Sequence, residues 1–120
     1  MILADTSVWV DHLRRGNSRL AVALDAQDVA THPFVIGELA CGDLRDRRTV
    51  LALLHRLPSA TVATNDEALA VIDKRRLMGR GLGFIDVHLL ASALLSPDLD
   101  LWTFDTPLAT AAARLGLAVR

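Results

Sequence analysis

Four acids, Asp5, Glu38, Asp86 and Asp105, are the residues of this 120-residue chain whose type and setting point to chemistry. Asp5 closes the apolar run Ile2-Leu3-Ala4 and is followed by two hydroxyls, Thr6 and Ser7. Glu38 stands among Val35, Ile36, Leu39 and Ala40, where an unpaired carboxylate is costly to bury. Asp86 heads the apolar stretch Val87-His88-Leu89-Leu90-Ala91, and Asp105 follows Leu101-Trp102-Thr103-Phe104. The acids are too far apart in sequence to form a motif, so only folding can gather them. Once gathered they need a counter-charge: two carboxylates 4 Å apart repel by about 4 kcal/mol at an effective dielectric near 20. A divalent cation removes that cost. An all-oxygen set without cysteine suits Mg²⁺, with Mn²⁺ as a substitute. Magnesium held by few protein ligands also takes phosphate oxygens, an arrangement that serves phosphodiester hydrolysis. Thr6, Ser7 and Thr103 could orient the acids.

A plainer account stays open. Asp5, Asp86 and Asp105 all fall where helices start, and Asp is a favoured capping residue there. An arginine could neutralise Glu38. On that account the chain is a non-catalytic module whose acidic pocket binds a partner.

The elements that must position the acids alternate between strand and helix. Residues 2–5 read as a buried strand, and residues 8–15 as a helix opened by Thr6 and Ser7. Gly16-Asn17-Ser18 breaks the chain, and Ser18 can cap a second helix. Residues 28–32 form a short strand candidate. Pro33 suits the first turn of a helix carrying Glu38, with Gly42 as its stop. Val50, Leu51, Leu54 and Leu57 mark an amphipathic helix over 47–57. Residues 60–63 suggest a third strand. A helix capped by Asn65 or Asp66 runs to about residue 78, and the glycines of 79–83 prevent regular helix there. The stretch from Asp86 is apolar on nearly every face and should be a buried helix. Residues 99–104 form a clear strand. Asp105-Thr106-Pro107 opens a last helix, and residues 117–119 can add an edge strand.

This alternation implies a single α/β domain over residues 1–120, with a three-layer α/β/α architecture and a twisted parallel sheet of four to five strands. It also makes a geometric demand. The helices that begin near Asp66 and Asp86 must run in the same direction, so the chain has to climb back between them. Seven extended residues span roughly 23 Å. A thirteen-residue helix is about 20 Å long. The glycine-rich stretch can therefore return Asp86 to the sheet edge that carries Asp5.

Composition removes several classes. Half the chain is apolar, which excludes a disordered tail, and no apolar run approaches the roughly 20 residues of a membrane span. The opening run is too short for a signal peptide. A single cysteine, Cys41, forbids an internal disulfide, fits a reducing, cytoplasmic setting and reads as a small buried hydrophobe. The net charge of −1 gives no global field for nucleic acid. Arginines nevertheless cluster at 14, 15 and 19, at 45, 47 and 48, and around 75, 76 and 80. Of these, Arg14, Arg15 and Arg80 are candidates for holding an RNA backbone. A zinc site from His12 and His88 with Asp86 is disfavoured, because residues two apart on a helix face away from each other. A phosphatase-like domain with Asp5 as nucleophile is a further alternative. A second Asp two residues on would be expected there, and this chain has Ser7.

Four segments carry a resemblance: Ala4-Asp5-Thr6-Ser7-Val8-Trp9-Val10-Asp11, Val35-Ile36-Gly37-Glu38-Leu39-Ala40-Cys41-Gly42, Gly83-Phe84-Ile85-Asp86-Val87-His88-Leu89-Leu90-Ala91 and Trp102-Thr103-Phe104-Asp105. In this order and at this length the chain resembles PIN domains, and among them the VapC-type toxins of bacterial toxin–antitoxin pairs. The resemblance implies a Mg²⁺-dependent endoribonuclease that cuts structured RNA such as tRNA or rRNA. It implies a homodimer and a small cognate antitoxin of the VapB type that covers the acidic pocket. Asp5, Glu38, Asp86 and Asp105 match that family's metal-binding acids one by one.

Overall fold

The computed structural model describes residues 1–120. Most of the helices begin where a side chain supplies an acceptor for their free N–H groups; α4 has no such cap. Helix α1 (Thr6–Arg15) is capped by Asp5. Helix α2 (Ser18–Asp25) is capped by Asn17 and not by Ser18: the Asn17 carbonyl accepts from the Leu20 amide at 3.0 Å. Helix α3 (Pro33–Ala40) has Pro33 in its first turn, and the His32 ring accepts from the Phe34 amide at 3.0 Å. Helix α4 is Arg47–Arg56. Helix α5 (Asn65–Arg75) starts one residue earlier than expected, because Thr64 and Glu67 close a reciprocal capping box. Helices α6 (Phe84–Leu95) and α7 (Thr106–Arg114) follow, the latter capped by Asp105.

Strand β1 (Ile2–Ala4) is the centre of a parallel sheet, flanked by β2 (Val29–Ala30) and β3 (Asp100–Trp102). Leu3 pairs with Ala30 on one side and Leu101 on the other, and Ala4 pairs with Trp102. All of β1 is buried, which is why its sequence is a continuous apolar run. The chain leaves β1 for β2 and then crosses back to β3. Right-handed connections in opposite directions put helices on both faces of the sheet.

The sheet has three strands, not four to five. Residues 60–63 form no strand, the bridge there being made by the preceding Ser59 to Thr31, and residues 117–119 contribute a single bridge, Val119 to Leu101. Thr31 donates to the Pro58 carbonyl and accepts from the Ala60 amide, both at 2.7 Å, and beyond that rung the chain turns away towards α5. Cys41 is also not the buried hydrophobe expected. It follows the last turn of α3 and is exposed.

The largely apolar α6 is the buried helix: residues 87–93 are all buried. It packs in a core with Leu3, Leu20, Leu101 and Leu108. Asn65, in the first turn of α5, meets the His88 ring of α6 at 3.0 Å. The starts of the two helices are therefore side by side, and residues 76–83 make the return climb. On the way Gly79 and Gly81 take positive φ, and Gly81 passes Pro107 closely enough that a Cβ would touch it at 3.7 Å. No helix is long and apolar enough to cross a membrane.

Candidate active site

Asp5 leaves the end of β1, and residues 103–105 leave the end of the adjacent β3. These strand ends flank the point where the chain reverses its direction across the sheet, the crevice in which open α/β sheets bind ligands. The sequence makes this local by ending both strands in a polar turn that also starts a helix.

Asp5 is only 6% exposed and is held on both oxygens. Its Oδ1 accepts from the Ser7 amide at 3.0 Å, from the Ser7 hydroxyl and, at 3.4 Å, from the Val8 amide. Its Oδ2 accepts from the Thr103 hydroxyl at 2.6 Å. Thr103 Oγ1 in turn accepts from the Asp105 amide at 2.9 Å, and Ser7 Oγ accepts from the Phe104 amide at 3.0 Å. The three hydroxyls singled out in the sequence all hydrogen-bond to these acids. Ser7 and Thr103 tie the two strand ends together through Asp5, and Thr6 donates to Glu38 at 2.7 Å.

Glu38 departs from expectation in its setting. It is exposed, so no burial cost has to be met. Its neighbours Val35, Ile36 and Leu39 are buried because they lie on the inner face of α3, while Glu38 lies on the outer one. Asp86 sits at the third position of α6 rather than at its cap, and its Oδ2 accepts from the Gly83 amide at 2.9 Å. Asp105 is exposed and accepts from the Leu108 amide at 3.1 Å.

Three of the charges act on the fourth, Asp86. Burial pushes the Asp86 carboxyl above the ordinary carboxylate range, the Gly83 amide pulls it partly back, and the charges of Asp105, Asp5 and Glu38 push it up again. No arginine, lysine or histidine pairs with any of the four; the ion pairs are Met1–Asp28, Arg15–Asp11 and Arg120–Asp100. As they stand, no three carboxylates converge on one point as a finished ligand set.

A cleft of about 420 Å³ opens on one side of this group, lined by Thr6, Val10, Arg14, Glu38, Asp43 and Arg45 among others. The arginines sort by environment. Arg14 faces the cleft with no carboxylate partner. Arg15 is tied to Asp11, Arg19 lies over the Trp102 ring at 4.8 Å, and Arg80 donates to the Arg76 carbonyl beside α7. Arg45, which sequence reasoning left unassigned, joins Arg14 in the cleft; no local signal marks it, since only the α3–α4 connection brings it there. The histidines form no zinc site. His12 accepts from the Asn17 amide, and His88 is buried between Phe34 and Phe84.

The PIN-domain family model matches residues 2–114. The chain belongs to the PIN-domain family. Within it the VapC type fits: this PIN domain is 46% identical over 119 residues to Ribonuclease VapC32 of Mycobacterium tuberculosis, covering 99% of this chain and 96% of that protein. Among solved structures it resembles FitAcB from Neisseria gonorrhoeae with a TM-score of 0.67 at 25% identity, covering 99% of this chain and 96% of that one. PAE2754 from Pyrobaculum aerophilum shares the fold of this PIN domain at a TM-score of 0.64 and 20% identity, over 92% of this chain and 83% of that one.

Proposed function

We propose that this PIN domain is a divalent-cation-dependent endoribonuclease, a toxin kept inactive by a small cognate antitoxin. The observation that carries this reading is electrostatic. The charges of Asp105, Asp5 and Glu38, from distant parts of the chain, all reach Asp86, and none of the four has a cationic side chain to offset it. A pure capping role explains Asp5 and Asp105 but not Glu38, which caps nothing and is held instead by Thr6. The relative named Ribonuclease VapC32 supports the activity.

The donor set fits Mg²⁺ or Mn²⁺, being all oxygen with no thiolate or imidazole nearby. Asp5, Glu38, Asp86 and Asp105 would hold the ion. Asp5 is the fixed member: its hydrogen bonds set its orientation, and Oδ2 retains a free lone pair. Asp86 is raised by burial first and then by the charges of Asp105, Asp5 and Glu38, and a cation would offset that repulsion. When bound, the cation supplies a Lewis acid for the phosphate and an activated water for in-line attack. Arg14 and Arg45 hold the RNA backbone at the mouth of the cleft. Structured RNA such as tRNA or rRNA is the substrate class, the working unit is a homodimer, and the antitoxin covers the acidic group.

Cleavage of an RNA transcript in Mg²⁺ tests this reading. Wild type should cut, EDTA should stop it, and Asp5→Asn should lose more than the roughly 10–100-fold typical of removing a group that only orients a ligand. A folded Asp5→Asn protein that cuts normally overturns the proposal. The phosphatase reading is the weaker one, because hydrogen bonds to both Asp5 oxygens lower its nucleophilicity and Ser7 stands where a second Asp would be expected.

A further inference from the structure

The chain is poor in aromatics, with no tyrosine, two tryptophans and three phenylalanines. Both tryptophans are buried. Phe34 and Phe84 pack edge-on against the His88 ring, at 4.6 and 4.8 Å between centroids. Phe104 is different. It is 53% exposed, and its only aromatic neighbour is Trp102, edge-on at 6.0 Å. Phe84 is also 42% exposed, but its ring packs on His88, whereas the Phe104 ring stands between Thr103 and Asp105 with one edge-on neighbour.

Its position is also fixed. The Phe104 amide donates to Ser7 Oγ at 3.0 Å, and Ser7 in turn donates to Asp5. The backbone that carries the ring is held in place before any ligand arrives, which lowers the entropy cost of binding. Across a cleft of about 390 Å³ it faces the outer side of α1, with Ser7, Val10, Asp11, Arg14 and Arg15 lining the other wall. Arg15 is spent on Asp11. Arg14 is free, and it lines both this cleft and the one that contains Glu38. An exposed ring with an unpaired guanidinium beside it is what single-stranded RNA requires: a face for a base and a charge for a phosphate.

We propose that Phe104 is a base platform, taking one unpaired RNA base next to the scissile phosphate while Arg14 holds a neighbouring phosphate. This rests on the ribonuclease reading and narrows its substrate to RNA whose cut site is unpaired, such as a loop. A duplex keeps its base faces covered and cannot use the ring.

Fluorescence anisotropy of the full chain with a labelled single-stranded RNA dodecamer, in EDTA to prevent cutting, tests the proposal. Phe104→Ala should weaken binding about tenfold, within the range typical of a stacked base. Phe104→Leu, apolar but without a π face, should be as weak, and Phe104→Trp should bind at least as tightly as wild type. Blunt duplex RNA should respond little to any of them. Equal binding by wild type and Phe104→Ala overturns the platform, and so does full rescue by Phe104→Leu. A change in sedimentation with unchanged RNA affinity overturns it by assigning the ring to a protein interface. If wild type binds RNA and cuts it in Mg²⁺, these failures leave the nuclease reading standing; if wild type neither binds nor cuts, both fall.

Discussion

Asp86 is the residue at which the electrostatics of the site can be measured. Its carboxyl is raised by burial first and by three like charges after that. A folded state that binds a proton more tightly than the unfolded chain loses stability as pH rises from the ordinary acid range through the raised value, and it stays less stable at neutral pH. Removing the charge should therefore help the metal-free protein. Asp86→Asn in EDTA is expected to keep or raise the Tm at pH 7, with the gain fading towards pH 4, while Mn²⁺ binding is lost. Thermal denaturation at the two pH values checks this, and a lower Tm at pH 7 would mean that the fold itself satisfies the charge.

Among the elements, α3 starts in an unusual way. Its cap is His32, buried and neutral, with one ring nitrogen accepting from the Phe34 amide. Burial, aided by nearby His88, lowers its pKa from 6.5 to about 4. The unfolded chain protonates below pH 6.5 while the folded one stays neutral, so the stability is complete above that pH and is lost as pH falls towards 4. At pH 5 the loss is about 2 kcal/mol, at 1.36 kcal/mol per unit. His32→Asn keeps a capping acceptor and removes the titration. Its urea midpoint should be lower at pH 7, through lost packing, yet change less between pH 7 and pH 5 than that of wild type. An equally steep change would assign the pH dependence elsewhere.

For the whole molecule, a net charge of −1 means that no long-range field draws in RNA. Association must rest on a few local arginines: Arg14 and Arg45 in the Glu38 cleft and Arg80 beside α7. Three phosphate contacts on a single strand give a slope of about −2 for log K against log salt, at −0.7 each. Anisotropy over a KCl series measures it. A slope twice as steep would reveal a wider basic surface, as a dimer that joins two sets of arginines would provide.

What the sequence determined by itself was whatever depends on near neighbours. The apolar run of β1, the largely apolar α6, the Pro33 and Asp105 helix starts and the glycine-bearing climb to Asp86 are all set within a few residues, and all appear as read. Helix caps shifted by a residue where two polar candidates competed, as at Asn17 and Ser18. Tertiary structure decided the rest. Whether residues 60–63 and 117–119 became strands depended on how many rungs a neighbour offered, and single bridges formed, at Ser59 and at Val119. Whether Glu38 and Cys41 were buried depended on which face of α3 met the core, a matter of packing partners and not of flanking apolar residues. The union of Asp5, Thr103 and Asp105 required β1 and β3 to pair across almost the full length of the chain. A contact of that range is selected by the sheet and its register, and no local stretch of sequence records it.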